Sequence, residues 1–118
     1  MRVTFLIPLF LAGTSVMADD PGYRLRMDFS RHDSTLTVTP YIAAPAGAAL
    51  RYEMVSSRHG AAGVSNTSQG GRVAVGDSGS ARLSMLSFSV TPQDRYVVTV
   101  KVFDGPKLVA EEVLQYPQ

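Results

Sequence analysis

The sequence contains no cysteine and no tryptophan, and it has no long apolar run beyond its first residues. The absence of cysteine excludes disulfide bonds, thiol redox chemistry and thiolate metal sites. The absence of tryptophan weakens a carbohydrate-binding interpretation, because only Tyr41, Phe103 and Tyr116 are then available to stack on a sugar. Apolar residues at helical spacing are also missing, except for a single turn at residues 91–94.

The first 18 residues have the pattern of a signal peptide. Arg2 gives a positive start, residues 3–11 are almost wholly apolar, and Val16 and Ala18 stand at the two positions that a signal peptidase reads. A membrane anchor is the alternative, but the apolar segment is about half the roughly 20 residues that a spanning helix needs, and Pro8 interrupts it. We therefore predict export and cleavage after Ala18.

The remaining chain, residues 19–118, has the length of a single domain. Loss of Arg2 with the leader leaves ten basic and ten acidic side chains, so the formal net charge is zero. A protein without a net field has no general attraction for nucleic acid or for an anionic membrane. We expect one domain that is a monomer and does not associate with the membrane after cleavage.

Alternation of apolar and polar residues predicts a series of short β-strands. The predicted strands are residues 23–30, 35–42, 50–57, 64–75, 83–90, 96–103 and 108–116. Residues 64–75 are either one strand broken at Gly70-Gly71 or two short ones. Pro40 predicts an edge position or a bend, because proline cannot donate to a strand ladder. A change of phase predicts a β-bulge near Met85-Leu86.

About seven antiparallel strands in a chain of this length predict an immunoglobulin-like β-sandwich. The segment "RYVVTVKVFDG", residues 95–105, is the most β-prone of the chain and would promote aggregation if it were exposed. We therefore predict a central strand with Val98, Val100 and Val102 facing the core. The preceding "TPQDRY" predicts a turn between sheets, with Tyr96 as its corner tyrosine.

Residue patterns of catalysis are lacking. His32 and His59 lie in the predicted loops 31–34 and 58–63 without carboxylates at ligand spacing, so solvated histidines are favoured over metal ligands. Glu111 and Glu112 point to opposite faces of one predicted strand and cannot act as an acid–base pair unless that strand is bulged. No nucleophile elbow or phosphate-binding loop occurs. We expect no enzyme, no cofactor and no metal; an enzyme would need one of the histidines beside a carboxylate in a cleft.

Two segments resemble the curli-biogenesis family of CsgC and CsgH. "LSFSVTPQDRYVVTVKVFDG", residues 86–105, is similar to the family's C-terminal signature, in which an apolar strand leads through a Ser/Thr-Pro-x-Asp-Arg turn into a valine-rich strand. "RYEMVSSRHGAAGVSNTSQ", residues 51–69, is similar to its middle strand, basic loop and Ser/Thr/Gln-rich strand. The CsgC branch carries a Cys-x-Cys pair where this chain has Ala48, Ala49 and Leu50. The resemblance is therefore closer to the cysteine-free CsgH branch.

The resemblance implies a periplasmic, chaperone-like protein that binds curli subunits transiently and inhibits their amyloid assembly before secretion. The major subunit is the expected client. The alternative is a periplasmic immunoglobulin-like binding or adhesion module with a different partner, such as a carbohydrate or a pilus component. A pilus-type chaperone would need two domains and a donor strand, which this chain is too short to supply.

Two strand surfaces are candidates for contact with a subunit. One is the outward row of the first strand, extended by a following arginine. The other is "VSNTSQGGR", residues 64–72, whose Ser, Asn, Gln and Gly content resembles a curli repeat. The predicted binding residues are Arg24, Arg26, Asp28, Arg31, Gln69 and Arg72. The alternative interpretations are an ordinary solvated strand face and a polar edge strand protected by its glycines and arginine.

Overall fold

The computed structural model describes residues 15–16, 19–61 and 63–117, so the predicted leader lies outside the described residues except at 15–16. The described part of the chain forms nine strands: β1 (Ser15–Val16), β2 (Arg24–His32), β3 (Thr35–Ala43), β4 (Ala49–Gly60), β5 (Gly63–Ala74), β6 (Ser80–Arg82), β7 (Leu86–Ser89), β8 (Arg95–Asp104) and β9 (Lys107–Tyr116). Within these residues no helix is long and apolar enough to cross a membrane.

The strands form two antiparallel sheets, which confirms the predicted β-sandwich. The large sheet has the order β1-β9-β8-β4-β5, and the small sheet has the order β2-β3-β6 with β7 also paired to β3. β8 is flanked by β4 and β9, as its composition predicts, and Val98, Val100 and Val102 are at most 1% exposed. Burial of these apolar side chains between the sheets is the main driving force for the fold. The largest other buried side chains include Leu36, Val38, Ile42, Met54 and Val75.

β4 and β5 form a long hairpin that replaces the predicted loop at residues 58–63. Each strand has 12 residues, and pairing continues from Ala49↔Ala74 to Gly60↔Gly63. The prediction of a loop was wrong because Arg58 and His59 are polar yet pair with β8. His32 likewise ends β2 and does not lie in a loop, since only Asp33 and Ser34 form that turn. β5 runs unbroken through Gly70-Gly71.

Pro40 does not mark an edge strand, because β3 is the interior strand of the small sheet. Residues 35–38 of β3 pair with β7, whereas Tyr41–Ala43 pair with β6. Pro40 lies in the gap between these two pairings, where its missing N–H costs no ladder bond. Its carbonyl accepts a hydrogen bond from the Leu83 N–H at 2.9 Å. In place of the bulge predicted near Met85, the chain has a break between the short strands β6 and β7.

The predicted tyrosine corner is present at the start of β8. The Tyr96 hydroxyl donates a hydrogen bond to the Ser89 carbonyl oxygen, and the Tyr96 ring is 5.1 Å from the Phe88 ring. The Asp94 N–H closes the intervening turn on the Thr91 carbonyl at 3.1 Å. These contacts fix the path by which the chain leaves the small sheet and enters the large one.

Candidate binding surfaces

The predicted row on β2 lies on the outer face of the small sheet, at its edge. Arg24, Arg26 and Asp28 are all exposed there. The Arg26 guanidinium contacts Asp28 through two hydrogen bonds, Nε–Oδ1 of 3.0 Å and Nη2–Oδ2 of 3.1 Å, and lies 4.6 Å from the ring centre of Tyr41. Most of the charge of Arg26 is therefore compensated locally. Arg24 forms no ion pair within the described residues.

Arg31 does not extend this row. Side chains alternate along a strand, so Arg31 shares the side of β2 that carries Met27 and Phe29. Its Nη1 donates to the Tyr116 hydroxyl at 2.9 Å, and its Nε donates to the Asp33 carbonyl at 3.0 Å. Arg31 thus joins β2 to β9 along the seam between the two sheets.

The second predicted surface is the edge strand β5. Its outer edge pairs with no strand among the described residues, and every residue from Gly63 to Ser68 is exposed. The two predicted residues of β5 lie on different faces. Gln69 is opposite Met54, on the face directed toward the small sheet, whereas Arg72 is opposite Arg51 on the outer face.

Arg51, which the sequence analysis did not single out, belongs to the surface of Arg72. Two like charges directly opposite each other on neighbouring strands are unfavourable, unless other groups compensate them. Arg51 has such partners: its Nη1 lies 2.6 Å from Glu53 Oε2, and its guanidinium lies 4.2 Å from the ring centre of Phe103. Arg72 has no ion-pair partner in the described part of the chain. The two arginines border an open depression that Leu50, Val73 and Gly105 also line.

The two predicted surfaces are on opposite sides of the sandwich. β2 packs along β9. Next to it the hydroxyl of Tyr23, which directly precedes β2, donates to Asp104 at the end of β8 at 2.7 Å. β5 lies on the other side, where the Tyr52 hydroxyl is 2.7 Å from the Ser84 hydroxyl. A short extended segment therefore contacts one surface or the other, and the six predicted residues do not form one site.

Comparison with known proteins identifies the family. The profile of the family described as "Thin aggregative fimbriae synthesis protein" (Tafi-CsgC) matches residues 22–113. The chain belongs to this family. The match includes residues 51–69 and 86–105, the two segments that carry the resemblance. A search of curated proteins finds no match.

Two solved structures of curli proteins share the fold. The E. coli curli protein CsgC (SeCys form) has a TM-score of 0.65 and 24% identity, over 81% of this chain and 99% of that chain. CsgH from R. palustris has a TM-score of 0.59 and 18% identity, over 79% of this chain and 87% of that chain. At these identities the likeness shows the fold.

In this member of the Tafi-CsgC family, the turn ahead of β8 also holds the end of the β4–β5 hairpin. Asp94 is 6% exposed, and its Oδ2 lies 2.7 Å from Arg58 Nη2. Burial by itself raises the pKa of the Asp94 carboxyl, but hydrogen bonds from Thr91 and Arg58, together with the Arg58 charge, hold that pKa below its ordinary value. Asp94 therefore stays charged and anchors Arg58.

The carboxylates of β9 face opposite sides, as predicted. Glu111 is opposite Lys101 on the outer face, and Glu112 is opposite Val100 on the face toward the small sheet. Burial, with a smaller contribution from the negative charge of Asp19, raises the pKa of Glu112 to about 7. Asp19 accepts a hydrogen bond from the Leu25 N–H at 3.0 Å. Glu112 and Asp19 are thus two acidic side chains that lie close enough to interact in a partly buried region between the two sheets.

The described residues contain no group of three or more His, Asp or Glu side chains that could hold a metal. His32 Nε2 lies 3.7 Å from Asp33 Oδ2, but both side chains are at least 90% exposed. His59 is exposed on β4. In the described part of the chain, neither histidine lies beside a carboxylate in a cleft, which is the arrangement that an enzyme would need.

Proposed function

We propose that this protein is a periplasmic inhibitor of curli subunit amyloid assembly, which binds subunits transiently and keeps them unassembled before secretion. The observation that carries the proposal is β5: a 12-residue polar strand with a free edge, exposed on both faces over its first half. Membership of a fimbriae synthesis family points to curli components as partners. The proposal includes cleavage after Ala18, a monomeric state, and action without cofactor or catalysis.

A free β-strand edge supplies the mechanism. Amyloid grows when a chain adds as a strand to an exposed edge, so a subunit segment that pairs with β5 is withdrawn from nucleation. The other side of β5 is covered by β4, which is itself paired to β8. The edge of the bound segment that pairs with β5 is therefore occupied by the folded protein, and no further subunit strand can add there. The subunit is released when the short-lived pairing breaks.

The same strand is protected against polymerisation of the inhibitor itself. Between Val64 and Val73, β5 contains only Ser, Asn, Thr, Gln and Gly together with Arg72 near its end. Polar side chains, glycines and a charge are the devices by which natural edge strands avoid stable pairing with copies of themselves. This composition favours weak, reversible contact over a permanent complex.

Arginines at the two candidate surfaces add local attraction to the encounter. Arg72 and Arg51 lie together at one end of β5, and Arg24 is uncompensated on β2. Since the predicted mature chain has no net charge, such steering is local and depends on salt. Lys101 and Lys107 make smaller contributions, because Lys107 lies 2.9 Å from the Asp20 carboxylate and Lys101 is opposite Glu111.

The carbohydrate alternative gains no support from its three candidate aromatic side chains, which are all half-buried. Arg26 covers the ring of Tyr41, and Arg51 covers the ring of Phe103. The third available aromatic, Tyr116, accepts a hydrogen bond from Arg31. A sugar that stacked on Tyr41 or Phe103 would have to displace the guanidinium group that covers that ring.

A sedimentation experiment tests the proposal. Freshly purified curli major subunit is incubated with this protein at a few per cent of the subunit concentration, and the subunit left in the supernatant is measured over time. We expect the supernatant to retain subunit long after a control with an unrelated β-sandwich domain has lost it. Equal loss in the two samples, also at equimolar protein, would exclude the inhibitor function.

A further inference from the structure

One side of the sandwich carries two successive glycines on a strand with a free edge. Gly70 and Gly71 occupy the middle of the second half of β5, on its unpaired edge. Two successive glycines leave a stretch of strand without side chains on either face. Such positions let another backbone approach closely.

The glycines are also required by the contacts beneath them. A Cβ atom on Gly71 would lie 2.9 Å from the Tyr52 phenolic oxygen, and one on Gly70 would lie 2.9 Å from the Tyr52 carbonyl oxygen. Both distances are shorter than ordinary van der Waals contact, so a side chain at either position forces a shift. The side-chain-free stretch is thus built into the packing of Tyr52.

The Tyr52 oxygen places a second segment beside this stretch. The Tyr52 phenolic oxygen lies 2.7 Å from the Ser84 hydroxyl. The same oxygen is the atom that a Cβ on Gly71 would meet, so Gly71 and Ser84 both adjoin the Tyr52 hydroxyl group. The next residue, Met85, is 59% exposed, although Leu86 after it and Leu83 two residues before it are buried. Because Met85 directly follows Ser84, an exposed large apolar residue lies near the side of the sandwich that β5 borders.

We infer that an extended segment of the client adds as a strand to the free edge of β5 at Gly70-Gly71, with one of its large apolar side chains packed against Met85. This inference rests on the proposed function and names the place and chemistry of the contact. The unpaired main-chain groups of β5 fit another strand, because only a strand matches their spacing. Methionine suits the apolar contact, since its flexible, polarisable side chain adapts to different partners.

A second copy of this chain is a less suitable occupant. Antiparallel pairing of two β5 strands about Gly71 places the two Arg72 residues diagonally on the same face, roughly 7–8 Å apart. Each Arg72 already faces Arg51 within its own sheet. The added repulsion disfavours this dimer and leaves the edge available to a partner without that charge.

Methionine-methyl and amide NMR of the protein, with unlabelled curli major subunit added, test the inference. We expect the Met85 methyl signal and the amide signals of residues 68–72 to shift or broaden together. The Met54 methyl is the internal control, because Met54 is 1% exposed and should not respond. The amides of residues 24–28 report on the opposite surface and should respond less.

Two variants complete the test in the sedimentation experiment. Met85→Ala should lose at least half of the protection, whereas Leu108→Ala, which truncates a 40% exposed side chain on β9, should keep it. Protection accompanied by signal changes confined to residues 24–28, or undiminished in Met85→Ala, overturns the inference and leaves the proposed function intact. If the unmodified protein does not keep the subunit in the supernatant, the proposed function itself is rejected. Changes at residues 68–72 that depend on protein concentration without subunit identify a second copy as the occupant and overturn the inference.

Discussion

Arg58 and Asp94 form an ion pair, with 2.7 Å between Nη2 and Oδ2, that joins the exposed end of β4 to the turn preceding β8. The pair is close to the end of the hairpin, since Arg58 is two residues from Gly60. A Cβ atom on Gly60 would collide with the Asp94 carboxylate. The hairpin that ends in the proposed edge strand is thus positioned by a buried carboxylate in the "TPQDRY" turn.

The Gly60→Ala variant tests this arrangement. We expect the added methyl group to displace Asp94 and to lower the free energy of unfolding by about 1–3 kcal/mol. Denaturant unfolding measures the change. Gly76→Ala is the matched control, because a Cβ there meets no atom within 4 Å and should leave stability nearly unchanged. Equal stability of the two variants would contradict the described packing.

Tyr96→Phe tests the tyrosine corner. Removal of the hydroxyl leaves the Ser89 carbonyl without its donor, so the free energy of unfolding should fall by about 1–2 kcal/mol. Tyr23→Phe provides the comparison, because its bond to Asp104 is at the surface and its loss should have little effect. If the Tyr23 variant proves the less stable of the two, the corner does not hold the sheets as described.

Glu112 predicts a pH dependence of stability for the chain that retains β1, whose Val16 pairs with Glu112. Its pKa is raised from 4.5 to about 7, so the folded protein binds the proton more tightly than the unfolded chain. The resulting stabilisation is complete below about pH 4.5 and is lost as the pH rises to about 7. With its partial exposure taken into account, we expect a loss of about 1–2 kcal/mol.

Glu112→Gln should remove this dependence, because the amide stays neutral. The variant should exceed the unmodified protein in stability at pH 8 and match it near pH 4.5, as measured by denaturant titrations at each pH. Glu111→Gln, on the outer face, should keep the original profile. A pH profile that Glu112→Gln leaves unaltered would show that Glu112 is not buried beside Asp19.

Charge reversal at Arg72 should separate stability from function. Arg72→Glu replaces a repulsion with Arg51 by an attraction, so the free energy of unfolding should rise by about 0.2–1 kcal/mol. Retention of curli subunit in the supernatant should nevertheless fall, because the charge near the proposed edge is inverted. Arg24→Glu changes the same charge on β2 and should retain more of the protection. The reverse order would assign binding to β2.

Elements with strong alternation were predictable. Val98, Val100 and Val102 predict a central strand, because a run of alternating valines is buried when both edges of the strand are paired. The role of Tyr96 as the corner tyrosine is predicted by its position directly after the turn. Pro40 misled the assignment because a proline also fits an interior strand wherever the neighbouring pairing is interrupted. That interruption depends on the short strands β6 and β7, which lie far along the chain.

The candidate surfaces were only partly predictable. Alternation places Arg24, Arg26 and Asp28 together, but it also separates Arg31 from them once β2 extends to His32. The proximity of Arg51 to Arg72 depends on the register of β4 and β5, which a single sequence does not specify. The sequence indicated a bulge at Met85, and only the Tyr52–Ser84 contact shows that the preceding residue, Ser84, lies near Gly71 of β5.

The lag time of amyloid formation tests the central claim most directly. Thioflavin fluorescence is followed in freshly purified curli major subunit, with this protein starting at Asp19 added at a few per cent of the subunit concentration. We expect a long extension of the lag, which an unrelated sandwich domain of the same size does not produce. Unchanged kinetics at this ratio and at equimolar protein would contradict the claim that this family member inhibits curli assembly.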